Sequence, residues 1–562
     1  HWSLTMRTTP QEGASSSLLE TPGAFATTVF RRGTHTLAVP LALHEANRRK
    51  FCGAMGWASS SASSSSSKGE RRPDRRKEAL VVKGGVEQCR NDSDHELIFR
   101  QESYFQYLFG VKEPDWYGVV TGDGEGVLFA PELGPEFAVW MGKIATKDEL
   151  SKRYGVPVYY VSEMGAVLQG YDLLLTLQGV NSDSGVDIAD ALPLKTKEDL
   201  MVFRPSPSAF RALAECRVTK TAFEIDVLRY ATFAASSAHV AVMRSCEPGD
   251  YEYQLEARFL SHAYETRGCR HAAYTSICAC GPNASVLHYG HAGAPNDRQL
   301  QKTDLALLDM GSEYHCYCSD ITCSFPVSGT FSNDQRLVYE AVLDAQRNVM
   351  AFAKPGASWI AAHELAERTI LTHLLRAGIL LLKGKGGTTQ EDAVEAMLAA
   401  DVGAVFMPHG LGHFIGLDTH DVGGYVESPP ARSTRPGKRK LRTNRVLRAG
   451  MVITVEPGCY FIDALLDPAL ADPKTAAFFD VDVLDRFRGS GGVRLEDDVL
   501  ITDTGVENLT LCPRTVAEVE AVMAGGPWPP PYDDAPELKR AWGTYVDGVF
   551  SKKELIGRKE AY

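Results

Sequence analysis

Five residues in the second half of this 562-residue chain carry the side chains best suited to chemistry: Asp309, Asp320, His413, Glu456 and Glu496. Each lies in or beside an apolar or glycine-rich stretch. Folding would therefore bring four carboxylates and an imidazole indoors, which is too costly unless cations neutralise them. Two divalent ions cancel the formal charge of the four carboxylates, and the set reads as a two-metal hydrolytic site. Oxygen-rich ligation with a single imidazole favours a harder ion such as Mn²⁺, with Co²⁺ and Zn²⁺ also compatible.

The flanking segments suggest how these residues are held. Leu305-Ala306-Leu307-Leu308 is a continuous apolar run, as in a strand buried on both faces, and it delivers Asp309 just before Gly311. The stretch 314–325 alternates, so period two predicts Cys316, Cys318, Asp320 and Thr322 on one face. A hairpin through Gly311 and Ser312 would then turn Asp320 toward Asp309, and would bring the Cys318 sulfur beside the cluster as an oxidation-sensitive thiol. Met451-Val452-Ile453-Thr454-Val455 is again strand-like and ends at Glu456 before the Pro457-Gly458 breaker. In Gly492-Val493-Arg494-Leu495-Glu496, alternation places Arg494 on the face of Glu496, where it can hold that carboxylate in orientation.

The histidines need separate treatment. His409 and His413 are four apart, but Gly410 and Gly412 argue for a glycine-rich strand or loop over a helix. A His read without context is most often structural. Here carboxylate motifs flank the group on both sides, which favours functional roles for His413 and for His420 in His420-Asp421-Val422-Gly423-Gly424. His288 and His291 cannot be told apart by their surroundings, and Arg442 lies in a basic stretch that by itself reads as a solvated loop.

The strings LLDMGSEYHCYCSDITCSFP, FMPHGLGHFIGLDTHDVGGY, MVITVEPGCYFID and GGVRLEDDV resemble the signature segments of the pita-bread metallopeptidases, and within them the Xaa-Pro dipeptidases. The similarity runs from about Arg31 to Ala524. It implies two divalent ions, Asp309 on one, His413 and Glu456 on the other, and Asp320 with Glu496 bridging. It also implies substrate contacts from His288, His420 and Arg442, with His409 and Arg494 in support. Such an ion pair lowers the pKa of a water held between the ions and yields hydroxide at neutral pH. His420 would donate to the developing oxyanion and Glu456 would carry a proton to the leaving nitrogen. An Xaa-Pro bond lacks the N–H that general peptidases grip, and an arginine fork can take the free carboxylate that defines a dipeptide. The reaction implied is hydrolysis of Xaa-Pro dipeptides to free proline. The alternatives are an aminopeptidase P-like enzyme acting on longer peptides and a pita-bread binding protein without catalysis, which the five filled ligand positions disfavour.

Composition fits this class. Hydrophobic residues make up 44% of the chain, enough for at least two domains with cores, and the net charge of −12 argues against nucleic acid as a partner. No apolar run approaches the length of a membrane span. Twelve cysteines without a scaffold spacing predict free thiols in a reducing, cytoplasmic setting. Two helix pairs, opened by the capping boxes Thr221-x-x-Glu224 and Ser332-x-x-Gln335, indicate a duplication that wraps one curved, mainly antiparallel sheet around the site. The expected α/β organisation is an N-terminal extension (1–29, without a secretory apolar segment) and an N-terminal α/β domain (30–215), which the resemblance implies makes homodimer contacts. A pita-bread catalytic domain (216–525) and a polar tail (526–562), helical near 535–545, follow. A Ser-rich and basic insertion at 58–77 is read as a disordered loop.

Overall fold

The computed structural model describes residues 28–57, 77–189, 203–291, 293, 295–382, 389–426 and 431–555. The predicted extension and the Ser-rich insertion therefore fall almost wholly outside the described residues. The N-terminal half is built on a mixed sheet of the strands Val158–Tyr160, Gly126–Ala130, Tyr117–Thr121, Glu78–Lys83, Leu173–Val180 and Asp187–Ala189, in that spatial order. Phe203–Ser206 also pairs with Leu173–Val180, in parallel. The Leu173–Val180 and Asp187–Ala189 strands form an antiparallel hairpin whose tip becomes important below.

Architecture of the C-terminal half follows from a repeated helix pair. Ala222–Ser245 and Glu252–Arg267 pack together, as do Asn333–Phe352 and Trp359–Arg376. Both capping boxes form: the Thr221 hydroxyl accepts from the Glu224 amide while Glu224 reaches back to the Thr221 amide, and Ser332 with Gln335 does the same. These boxes satisfy helix-end donors that would otherwise be orphaned, so each long helix starts at a defined residue. The sheet elements come in two matching groups. Ile277–Cys280, Leu305–Asp309 and Thr322–Pro326 form one antiparallel trio, and Val452–Val455, Asp497–Ile501 and Val506–Asn508 form the other. Among the described residues no helix is long and apolar enough to cross a membrane, and all twelve cysteines are free.

Two expectations fail here for identifiable reasons. Asp309 and Asp320 are not joined by a tight turn. The chain makes a small excursion, Ser312–Tyr314 pairing with Tyr317–Cys318, before Thr322 comes back into register opposite Asp309. His315 and Cys316 at the excursion's tip have positive φ, of 51° and 65°, so strict alternation ends there. Gly311 is required at its base, since a Cβ would lie 1.9 Å from the Ser319 carbonyl oxygen.

The tail is the second correction. In place of a helix at 535–545, a short turn Pro536–Leu538 leads into a hairpin of Gly543–Val546 and Val549–Lys552. Tyr545 supplies the reason, packing edge-on against Tyr230 at 4.8 Å and close to Phe233, a contact that only the alternating side chains of a strand present. Arg540 is fully buried, forked onto Glu518 at 2.7 and 2.9 Å and bonded to Asp533 at 2.9 Å, with its guanidinium 4.5 Å from the Trp542 ring. Replacing Arg540 with Ala leaves two carboxylates uncompensated indoors, and urea unfolding should show a loss of about 3–5 kcal/mol. An unchanged midpoint would mean that the tail only rides on the surface.

Candidate metal centre

Asp309 ends the Leu305–Asp309 strand, Glu456 follows Val452–Val455, and Glu496 lies between Gly492–Arg494 and Asp497–Ile501. Asp320 sits just before Thr322–Pro326. The histidine segment is extended and runs antiparallel to the Val452–Val455 strand: the Glu456 amide donates to the Leu411 carbonyl (2.8 Å) and the Thr454 amide to that of His413 (2.9 Å). Gly412 permits this approach, because a Cβ would meet the Thr454 carbonyl oxygen at 2.0 Å. The glycines that argue against a helix are thus what lets His413 lie alongside Glu456.

These placements bring the ligand atoms of Asp320, His413 and Glu496 within 4.8 Å of one another, with all three residues buried. His413 Nε2 lies 3.3 Å from Asp320 Oδ2 and 3.6 Å from Glu456 Oε1. Asp309 adjoins Asp320, whose acidity it perturbs directly. His413 Nδ1 donates to the Phe414 carbonyl at 3.0 Å, which fixes the tautomer and leaves the Nε2 lone pair pointing toward carboxylate oxygens. A lone pair facing carboxylate oxygens is favourable only with a cation or a proton between them. Protonating the ring does not resolve this, because burial lowers the His413 pKa despite the adjacent Glu456. The donor set therefore fits divalent ions.

Acidity shifts point the same way. Burial, reinforced by Asp309, raises Asp320 well above the usual carboxylate range. Burial, then Asp320 and Glu456, does the same to Glu496. Burial pushes Glu456 up to about 7, with Asp320 and Asp309 adding to the rise and His413 and Arg494 opposing it.

Arg494 donates to Asp309 Oδ2 (2.6 Å), to Thr322 Oγ1 (3.0 Å) and to the Tyr460 hydroxyl (2.8 Å). Its carboxylate partner is thus Asp309, across the sheet, while Glu496 is steadied by the Thr322 hydroxyl at 2.6 Å. His409 donates from Nδ1 to the Gly410 carbonyl, so its Nε2 accepts from Tyr460, which links it to Arg494. Three supports escaped the sequence reading: Tyr274, which donates to Asp309 at 2.5 Å; Asp498, which accepts from the Asp320 amide; and Tyr460. Asp498 lies within the GGVRLEDDV string, which offered one signal. Tyr274 carried none.

Around this cluster stand the remaining candidates. His420 packs perpendicular to His413 with centroids 4.5 Å apart, at the exposed rim of the site, and partial desolvation together with the nearby His413 and Arg442 lowers its pKa. Its loop is pinned by a buried ion network, with Arg217 bonded to Asp418 (2.6 Å) and Asp421 (2.5 Å), and Lys220 to Asp421 (2.9 Å). His288 and His291 lie side by side at 5.4 Å, and His288 feels Arg494, Asp309 and Arg442. Arg442 is partly exposed, and its charge acts on His288, His413 and His420. Cys318 is not part of the site. Its sulfur lies 3.4 Å from the Leu417 carbonyl and 3.9 Å from Glu313, and burial drives its thiol pKa far upward, which disfavours the reactive thiolate.

Ion removal has a definite signature. A raised carboxylate pKa contributes stability that is complete below its unfolded value, near 4.5 for Glu456, and lost as pH rises through its folded value of about 7. Ion-free protein should gain melting temperature between pH 8 and pH 5.5, and Glu456→Gln should flatten that gain. Adding Mn²⁺ at pH 8 to 100 times its dissociation constant should stabilise the protein by about 2.7 kcal/mol for each ion bound, with Asp320→Asn abolishing the effect. Equal melting with chelator and with Mn²⁺ would exclude a metal centre.

A profile for metallopeptidase family M24 matches residues 226–503, and one for the aminopeptidase P N-terminal domain matches residues 44–172. The chain is 48% identical to a mouse Xaa-Pro dipeptidase over 507 residues, covering 88% of this chain and 96% of that protein. It is 48% identical to the human Xaa-Pro dipeptidase over 502 residues, with the same coverage. The structure of Pseudomonas aeruginosa aminopeptidase PepP superposes with a TM-score of 0.65 at 30% identity, covering 87% of this chain and 98% of that one.

Proposed function

The chain belongs to metallopeptidase family M24, and from that premise we propose that it is a metal-dependent Xaa-Pro dipeptidase that hydrolyses Xaa-Pro dipeptides to free proline. The observation that carries this reading is the Nε2 lone pair of His413 facing Asp320 and Glu456 inside a buried carboxylate cluster. Asp309, Asp320, His413, Glu456 and Glu496 would hold two divalent ions, of which Mn²⁺ suits the oxygen-rich donors best. When bound, such ions polarise a carbonyl and make water nucleophilic at neutral pH.

The protein's own groups supply the rest. Neutral His420 donates an N–H to the carbonyl oxygen as charge builds on it during attack by water. Glu456 takes the proton released by the water and passes it to the proline nitrogen, so that the C–N bond breaks to a secondary amine and a free carboxylate. Burial of His409 and its bond to Tyr460 keep that wall of the site fixed as the proton moves. His288 lines the same site, and Arg442 takes the substrate's C-terminal carboxylate with its planar fork. A homodimer formed through the N-terminal domain and a cytoplasmic location, which suits the free thiols, complete the reading.

Arg442 separates a dipeptidase from an enzyme that trims longer peptides. Wild-type protein should cleave Gly-Pro far better than Gly-Pro amide or Gly-Pro-Gly. Arg442→Leu should raise KM for Gly-Pro by the loss of about 1.5–3 kcal/mol while leaving the melting temperature nearly unchanged. Wild-type cleavage of the amide or the tripeptide as fast as the free dipeptide would favour the aminopeptidase reading.

A further inference from the structure

Asp183 stands at the tip of the hairpin between Leu173–Val180 and Asp187–Ala189, in the N-terminal half. The tip is rigidly built. Asn181 Oδ1 accepts from the Asp183 amide at 3.0 Å and from the Ser184 amide at 2.9 Å, and the Asn181 amide closes the loop onto the Val186 carbonyl at 3.0 Å. The Asp183 carboxylate is therefore presented in one place, and it reaches across to the catalytic half. Arg432 Nη2 binds its Oδ1 at 2.7 Å, and Arg442 Nη1 approaches its Oδ2 at 3.7 Å. Arg432 is fully engaged, since it also donates to the Leu441 carbonyl at 2.7 Å and lies 4.3 Å over the Tyr425 ring. The Tyr425 hydroxyl donates to the same carbonyl at 3.0 Å. Gly424 packs against the Arg442 backbone so tightly that a Cβ would sit 2.0 Å from its carbonyl oxygen.

Backbone around Arg442 is thus clamped by Arg432, Tyr425 and Gly424, while its side chain meets one carboxylate among the described residues, that of Asp183. One carboxylate shared by two guanidiniums leaves Arg442 with uncompensated positive charge. The longer contact directs the fork without consuming it, which is what a docking point for a second carboxylate needs. Elsewhere the two walls are separated by a cavity of about 200 Å³ lined by Asn181, Phe210, Val422 and Gly423.

We propose that Asp183, supplied by the N-terminal half, is a positioning residue for Arg442 and so a determinant of selectivity for substrates that end at proline. The inference rests on Arg442 reading the substrate carboxylate. It makes chain-length selection a property of both halves of the molecule, because the point where the carboxylate must lie is set by the hairpin tip.

Steady-state kinetics on the ion-loaded, full-length enzyme, with Gly-Pro and Gly-Pro amide as the paired substrates, test this. Asp183→Asn should raise KM for Gly-Pro about three- to fivefold, in line with the loss of a partly exposed ionic contact, with kcat within about twofold. Kinetics on the amide should be unchanged, and Asp183→Glu should recover part of the KM. In an Arg442→Leu background Asp183→Asn should add nothing. The inference is overturned if Asp183→Asn shifts both substrates equally, if its effect persists without Arg442, or if KM for Gly-Pro does not move while Arg442→Leu raises it. An Arg442→Leu enzyme that keeps its preference for the free acid overturns the carboxylate reading itself and this inference with it. Melting curves of each variant separate these outcomes from misfolding.

Discussion

One lone pair facing two carboxylates is the constraint on which the catalytic half depends. His413 Nε2 is turned toward Asp320 and Glu456 by the bond its other nitrogen makes to the Phe414 carbonyl. Asp309 and Glu496 crowd the same space, and Arg494 is the cation bonded directly to one of these carboxylates. A fold that gathers such groups without counterions holds protons it would otherwise release, as the raised Asp320, Glu496 and Glu456 pKa values record. The neighbouring architecture limits the strain. Strand ends bring the ligands from both members of the duplicated pair, and hydroxyls of Tyr274 and Thr322 steady individual oxygens.

Much of this was legible in the residues. Apolar runs that stop at a carboxylate, capping boxes that open long helices, and glycines beside histidines each carry a local signal that tertiary packing does not override. The five proposed ligand positions belong to that class. What escaped is non-local. Alternation from Tyr314 to Asp320 looked continuous, yet positive φ at His315 and Cys316 interrupts it at the excursion's tip, and burial raises the Cys318 thiol pKa, which weighs against the oxidation-sensitive role read from the pattern. Tyr274 reaches Asp309 from a stretch with no motif, and the tail's hairpin exists because Tyr545 finds Tyr230, a contact 315 positions away in sequence that no window of residues reveals.

Interdomain coupling also lies beyond local patterns. Arg217 and Lys220 hold Asp418 and Asp421 on either side of His420, and Arg100 and Ser103 of the N-terminal half bind Asp418 as well. Buried charge pairs of this kind add little net stability, because desolvation offsets their attraction, but removing one partner is costly. Their effect is to give the His420 loop one allowed conformation, tied to the N-terminal half. Together with the Asp183–Arg442 ion pair, they tie the first half of the chain to the loops that carry His420 and Arg442.

Packing of the tail bears on the order in which the molecule can be completed. The Asn508 amide donates to the Lys539 carbonyl and the Ala541 amide to the Asn508 carbonyl, while the Asn508 side chain donates to Asp497, the neighbour of Glu496. Every ligand precedes this segment, so during translation all five leave the ribosome before Arg540 and Trp542 do. The Val506–Asn508 strand, which flanks the strand that carries Asp497, keeps its outer edge unpaired until residues 539–541 emerge. Completion of this sheet is therefore a late step, and a chain that stalls short of residue 540 would display the buried carboxylate cluster on an unfinished core, a form for cellular quality control to recognise.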